Sequence, residues 1–206
     1  YLYAKLPEIR RLAAEAQRGW AGRELESDLA STPHPDLIVR RASDGQGFVI
    51  PTGGMTGFGK GVTALSGLLS GDTVLASPDL TGDGIGDLVV RSADGVARIR
   101  PGAADGTFGA PVKRFRSLAG RDLLTAVGDL NGDGRNDLVA RRPETGRLDT
   151  YLGRANGGFK RIRRGTAWGR YTMLVGAGDQ TGDGRVDLMG RDAEGALWLH
   201  RGRAKG

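Results

Sequence analysis

The chain has 206 residues and no cysteine, which excludes disulfide frameworks and zinc sites built on thiolates. Its 36 glycines and 6% aromatic content indicate many turns and few long helices, so an all-β fold is favoured. The formal net charge of +6 is compatible with binding to an anionic polymer, but the basic residues are scattered along the chain, and nucleic acid is not a favoured partner.

Residues 1–22 stand apart from the rest of the sequence and predict an amphipathic helix or linker. Apolar residues recur there at roughly helical spacing, at Leu6, Ile9, Ala13, Ala16 and Trp20. We expect this stripe to pack on a neighbouring sheet or on an upstream domain; a membrane-surface role is the alternative. No stretch of about 18 apolar residues and no leader-like segment is present, so we expect no membrane span and a soluble protein or the trimmed part of a longer one.

Residues 23–206 contain four repeated units, at about 23–68, 69–118, 119–168 and 169–206. Three of them carry an Asp-rich string with the same spacing: "DLTGDGIGD" begins at Asp79, "DLNGDGRND" at Asp129 and "DQTGDGRVD" at Asp179, 50 residues apart each time. The first unit has a degraded copy of this string, because Thr32 and Pro33 replace the central Asp and the following Gly, although Asp36 is kept. Repetition of this kind indicates a fold built from similar structural units.

Each unit contains a short series of predicted strands. One apolar run precedes the first Asp, a second follows the last Asp, and a third follows a Gly-containing turn. A fourth run is opened by Phe58, Phe108 or Phe159 in the first three units, whereas the last unit ends after its third strand. Four-stranded antiparallel sheets that repeat every ~40–50 residues are typical of a β-propeller. We therefore predict an all-β propeller with at least four blades in this chain, whose ring the chain need not complete.

The Asp-rich strings have the spacing of a metal loop. Side chains at positions 1, 3, 5 and 9 and the carbonyl at position 7 can converge on one point, because Gly at positions 4 and 6 lets the backbone curl. All of these donors are oxygens, which favours Ca²⁺ over zinc or copper. An EF-hand would need Glu at position 12 and flanking helices, and neither pattern is present. The three predicted calcium sites are Asp79, Thr81, Asp83, Asp87 with the Ile85 carbonyl; Asp129, Asn131, Asp133, Asp137 with the Arg135 carbonyl; and Asp179, Thr181, Asp183, Asp187 with the Arg185 carbonyl.

These loops, the ~50-residue period and the "FGAP" at 108–111 resemble the FG-GAP or VCBS repeats of integrin α-chain propellers and of secreted bacterial proteins. The "LWLHRG" at 197–202 is similar to the bacterial branch. The resemblance covers about residues 28–206. It implies a calcium-binding β-propeller outside the cell, and such propellers accompany hydrolases, lectin-like modules and adhesion proteins alike.

No catalytic constellation is predicted. The two histidines, His34 and His200, lack repeated partners, and no nucleophile-elbow or metalloprotease motif is present. Asp149 and Glu144 are interpreted as solvated acids rather than catalytic groups. We therefore expect a non-enzymatic module.

Three residues are candidates for stacking on a sugar ring, since they vary between the units and are aromatic: Tyr151, Trp198 and His200. Trp168 is instead expected in the core. The favoured function is extracellular recognition of a cell-surface glycan, polymer or partner protein. The alternatives are a structural scaffold attached to a catalytic or toxin domain, and a part of an extracellular hydrolase whose active site lies elsewhere.

Overall fold

The structure of the protein is a computed structural model, and it describes residues 29–30, 36–52, 57–65, 71–155, 157–163 and 165–203. The predicted N-terminal helix and most of the degraded loop lie outside these residues. In the part of the chain that is described, helix is limited to a 3-10 turn at Arg116–Leu118. No described helix has the length and apolar character needed to cross a membrane.

The described residues form short strands along the whole repeat region. In chain order they are β1 (Leu37–Arg40), β2 (Gly47–Ile50), β3 (Val62–Leu65), β4 (Thr73–Ser77), β5 (Asp87–Arg91), β6 (Ala97–Arg100), β7 (Lys113–Phe115), β8 (Asp122–Gly128), β9 (Asp137–Arg142), β10 (Arg147–Gly153), β11 (Phe159–Arg163), β12 (Tyr171–Gly178), β13 (Asp187–Asp192) and β14 (Leu197–His200).

These strands form four antiparallel sheets, each a meander of consecutive strands. The first sheet is β1-β2-β3, the second β4-β5-β6-β7, the third β8-β9-β10-β11 and the fourth β12-β13-β14. Strand β8 contacts both β4 and β12, so the opening strands of successive sheets lie side by side. This arrangement confirms the all-β prediction and the repeated, blade-like sheets of a β-propeller.

Successive sheets pack face to face, and we call the face toward the preceding sheet the rear face and the other the forward face. Alternation along a strand separates the two faces, so that Leu138 lies on the rear face of the third sheet and Val139 on its forward face. Because both faces of an inner sheet are covered, β5 and β9 are buried at four consecutive positions instead of at alternate ones. Their continuous apolar sequences, "LVV" and "LVA", follow from this double coverage.

The fourth strand of the second unit begins later than its Phe predicts. Phe108 makes only an isolated bridge with Gly102, and β7 starts at Lys113. After Phe108, the Gly109 N–H donates to the Pro101 carbonyl at 2.8 Å, and the regular pairing then stops. Pro111 follows, and it has no N–H to donate to a strand ladder. In the third unit no proline follows, and β11 begins at Phe159 itself.

Candidate functional site

The three Asp-rich loops occupy equivalent places in the second, third and fourth sheets, where each joins the opening strand to the next. The glycines at loop positions 4 and 6 have φ values of +92° and +87° at Gly82 and Gly84, and of +78° and +79° at Gly132 and Gly134. A side chain at these positions would be strained, so the curl depends on glycine. The loop backbone therefore curls as the sequence predicts.

The first Asp of each loop points into the curl and accepts hydrogen bonds from its backbone. In the first loop the Asp79 Oδ1 accepts from the Gly82 N–H at 2.6 Å, and its Oδ2 accepts from the Gly84 N–H at 2.8 Å. Asp129 and Asp179 repeat both bonds at 2.6–2.7 Å. The N–H groups lower the pKa of Asp179, with the Gly184 N–H making the largest contribution. The third loop therefore favours the ionised form of Asp179, and all three loops fix the orientation of their first carboxylate.

The ninth Asp has a role that the metal pattern does not predict. Asp137 is fully buried; its Oδ2 accepts from the Leu130 N–H at 2.9 Å and its Oδ1 from the Gly153 N–H at 2.7 Å. Asp87 and Asp187 are buried in the same way and accept from the equivalent N–H groups at 2.7–3.0 Å. Each carboxylate thus ties the start of its loop to the end of the third strand. We call these residues the hub aspartates.

The first unit keeps this hub although its loop has lost the central Asp. The Asp36 Oδ2 accepts from the Leu29 N–H at 2.9 Å, and its Oδ1 accepts from the Thr52 N–H at 3.1 Å. Asp36 is buried like its counterparts. The hub is therefore a property of the repeated sheet and does not depend on the rest of the loop sequence.

Burial makes two of the hub carboxylates, Asp87 and Asp137, harder to ionise. Desolvation raises the pKa of Asp137 to about 6, against the opposing effect of the N–H groups of Gly153 and Leu130. The negative charges of Asp129 and Asp133 raise this pKa further. The pKa of Asp87 is raised by the same causes, again with burial first. The carboxylates of one loop are thus close enough to repel one another, and a bound cation would relieve that repulsion.

The glycine that donates to each hub aspartate also fills a place where no side chain fits. A Cβ at Gly153 would lie 2.5 Å from the Asn136 carbonyl oxygen, and Gly102 and Gly202 face the same loop carbonyl in their own sheets. Because the obstacle is backbone, it cannot move aside as a side chain would.

Replacing Gly153 with alanine is expected to lower the free energy of unfolding by about 1–3 kcal/mol, because the new methyl group forces the loop away from the strand. Urea denaturation followed by circular dichroism measures the change. Gly165→Ala is the matched control, since a Cβ at Gly165 meets nothing within 4 Å. Equal stability of the two variants would show that the close approach is not a constraint.

The donor set of each loop fits a hard cation. In every copy the first and fifth carboxylates are joined by a neutral side-chain oxygen, from Thr81, Asn131 or Thr181, and by the seventh carbonyl. In the third loop the Thr181 Oγ1 is buried and has no hydrogen-bond partner among the described residues. Within the same part of the chain no three Asp, Glu or His side chains gather into a metal-holding group, since the ninth carboxylate faces backbone N–H groups and the third residue is neutral. The predicted ligand sets stay a prediction.

A basic neighbour distinguishes the second and third loops from the first. The Arg135 and Arg185 guanidinium groups lie 3.6 and 3.4 Å from the carboxylates of Asp133 and Asp183. In the first loop the equivalent residue is Ile85. The first loop therefore carries the least compensated negative charge of the three.

The last two sheets enclose a cleft of about 600 Å³ with an aromatic wall. The Trp168 and His200 ring centroids are 4.5 Å apart, and the Tyr171 hydroxyl lies 2.7 Å from the His200 Nε2. Arg201 and Arg203 are exposed at the rim of the cleft. Burial lowers the pKa of His200, and the charge of Arg170 lowers it further, so the imidazole is neutral near pH 7.

The three predicted sugar-stacking residues are not brought together. His200 lines the cleft, and Trp198, two residues earlier on β14, is 43% exposed and carries the Arg170 guanidinium 3.8 Å above its ring. Tyr151 is only 2% exposed, because it lies in the core between the second and third sheets. The prediction that Tyr151 belongs to the binding surface is therefore wrong. Trp168 packs against the core as expected, but it also lines the cleft.

The interpretation of Asp149 as a solvated acid is also wrong. Asp149 is fully buried and forms ion pairs with Arg121 at 2.9 Å and with Arg147 at 3.1 Å. Trp198 occupies the equivalent position of the fourth sheet, where its indole N–H donates to the Asp192 carboxylate at 2.7 Å. A buried ion pair in one sheet is thus replaced by an aromatic and Arg cluster in the next.

Comparison with known protein families identifies one match. Two overlapping stretches, residues 79–140 and 129–190, match the family described as FG-GAP-like repeat. Each stretch begins at the first Asp of a loop and ends in the following sheet, and together they span more than half of the chain. No curated protein matches the sequence.

Proposed function

Because the chain belongs to the FG-GAP-like repeat family, we propose that it is a calcium-binding β-propeller module that recognises a carbohydrate-rich or anionic polymer outside the cell. The family is generally non-catalytic, and we propose the same for this chain. The observation that carries the recognition proposal is the cleft between the last two sheets, which combines an aromatic wall with two exposed arginines.

Calcium is the cofactor that the loops favour. Asp79, Thr81 and Asp83, with the Ile85 carbonyl, would hold the ion in the first loop, and the equivalent residues would do so in the other two. The hub aspartates can contribute only through their remaining lone pairs, since both oxygens already accept backbone N–H groups. Both oxygens of the first Asp also accept backbone N–H groups, so the affinity is expected to be that of extracellular modules. The bound ion would neutralise the loop carboxylates.

The cleft has the size and the chemistry of a ligand site. A volume of about 600 Å³ lies within the usual range for small-molecule pockets. Trp168 and His200 offer apolar ring faces for the C–H groups of a sugar, and the Tyr171 hydroxyl is bonded to His200, which fixes the imidazole. Arg201 and Arg203 supply positive charge for carboxylate, sulfate or phosphate substituents.

Removal of the two rim arginines, as Arg201→Ala/Arg203→Ala, is expected to weaken binding to acidic cell-wall polymers or glycans by about tenfold or more. Both side chains are exposed, so the variant should fold like the parent. Trp168→Ala tests the stacking wall, with circular dichroism as a check on the fold because Trp168 also packs against the core. Glycan-array binding and retention on cell-wall material measure the loss, with Arg114→Ala as a control at an exposed arginine of the second sheet.

Two outcomes would contradict the recognition proposal. Unchanged binding by both the Arg and the Trp variants would exclude the cleft. A parent protein that binds no glycan but co-purifies with a domain or partner would favour the scaffold alternative, in which the propeller supports a catalytic or toxin domain.

A further inference from the structure

All described contacts between consecutive sheets join the same two kinds of face. At each described interface between consecutive sheets, the forward face of one sheet packs against the rear face of the next. Between the second and third sheets, Val89 and Ile99 meet Leu138. Between the third and fourth sheets, Val139 and Leu148 meet Leu188. The two kinds of face are therefore complementary throughout the chain.

The two end faces of the series remain exposed. On the rear face of the first sheet, Leu37 is 45% and Val39 is 40% exposed. The equivalents of Leu37 in the next two sheets, Leu88 and Leu138, are fully buried, and those of Val39, Val90 and Ala140, are buried as well. On the forward face of the fourth sheet, the apolar residues Met173, Val175, Leu197 and Leu199 are 45–67% exposed. Exposed apolar patches of this kind mark interaction sites.

We propose that these two end faces bind each other between two copies of this chain, head to tail. The forward face of the fourth sheet in one copy takes the rear face of the first sheet in the other. Such a contact continues the series of sheet-to-sheet interfaces already present inside the chain, with the same kinds of side chain at the same strand positions. The described residues carry one exposed face of each kind, so a second copy can supply a partner for both.

A head-to-tail contact is heterologous, since the two surfaces that meet are different. Repetition of the contact closes a ring or extends an open assembly, according to the turn between the copies. The contact lies on the end faces and away from the calcium loops; Leu199 also borders the cleft, so the test uses Leu197, which does not, and the contact can fail while the proposed function stands.

The test measures association by light scattering and sedimentation over a range of concentrations. The parent is expected to form dimers or larger assemblies. Leu197→Glu on the forward face and Leu37→Glu on the rear face should each weaken association by about 100-fold or more, because a charge would be buried without a partner. Both positions are exposed in the single chain, so the variants should fold normally, as circular dichroism would show. Leu197→Met is the matched control and should associate like the parent.

Mixing the two Glu variants shows which faces of the two copies meet. Each variant keeps one intact face, and the intact faces are complementary, so an equimolar mixture is expected to form a heterodimer although neither variant associates alone. Three results would overturn the proposal: a parent that is monomeric at its highest soluble concentration, association that Leu197→Glu leaves unchanged, or a mixture that stays monomeric. The first would indicate that another segment of the polypeptide covers the faces.

Discussion

Replacing Asp137 with alanine is expected to lower the free energy of unfolding by about 2–4 kcal/mol, even when all calcium is removed by chelator. The substitution leaves the N–H groups of Leu130 and Gly153 without their acceptor, and each partly buried group that loses its partner costs about 1–3 kcal/mol. Urea denaturation in the presence of chelator measures the loss, with fluorescence and circular dichroism as two probes of a single transition.

Asp133→Ala is the matched control for this experiment, because it removes an exposed carboxylate from the same loop. That carboxylate accepts the Arg135 N–H at 3.0 Å and lies near the Arg135 side chain, so its loss in chelator should cost less than about 1 kcal/mol. Asp36→Ala should behave like Asp137→Ala, although its loop has lost the central Asp. If Asp137→Ala were no worse than Asp133→Ala in chelator, the hub role would be wrong.

Removal of calcium is expected to lower the stability of the parent by roughly 4 kcal/mol at about 1 mM calcium. This value assumes dissociation constants near 10⁻⁴ M, typical of extracellular modules, so that each of the three loops contributes about 1.4 kcal/mol. For a chain of this size the loss corresponds to a fall in Tm of about 8–16 °C. Differential scanning calorimetry with and without chelator measures the shift.

Two measurements separate calcium binding from a general effect of chelator. Asp129→Ala should reduce the calcium-dependent part of the Tm shift by about one third, because it removes one of the three sites. Native mass spectrometry should find three calcium ions and none in the first unit. A melting curve that chelator leaves unchanged would exclude calcium as a stabilising ligand.

The sheet architecture was predictable because the sequence repeats its own spacing. The intervals of 50 residues between Asp79, Asp129 and Asp179 and the strand-like runs that surround them indicate one sheet per unit. Apolar alternation and glycine turns depend on neighbouring residues, so they can be recognised in the sequence without information about the packing. The third and fourth strands of the first unit, β2 and β3, were predicted on the same grounds.

The hub aspartates and the buried ion pair were missed, because both depend on contacts between distant segments. The Asp137 carboxylate bonds to a glycine 16 residues away, and Asp149 pairs with Arg121 across 28 residues. A pattern of oxygen donors does not distinguish a metal ligand from an acceptor of backbone N–H groups. One signal was available: Asp36 is retained in a unit that has lost the central Asp, which a purely metal-binding role does not explain.

The binding-site residues were predicted in part. His200 and Trp198 lie at or beside the cleft, but Tyr151, the equivalent of His200 in the third unit, is covered by the second sheet. The exposure of a side chain therefore depends more on which sheet carries it than on its position within the repeat. His200 lies on the rear face of the last sheet, where an open cleft faces the third sheet, whereas the rear face of the third sheet is packed against the second.

The hub aspartates have a consequence for how such a repeat can evolve. In each unit the carboxylate that closes the sheet is distinct from the two that face the loop interior, so substitutions in the loop leave the closure intact. The first unit shows this pattern, with Thr32 in place of the central Asp, Pro33 in place of the following Gly, and Asp36 unchanged. Under the calcium binding proposed above, single repeats could lose their cation while the sheet stays closed, and dependence on the mineral content of the surroundings could change without redesign of the scaffold.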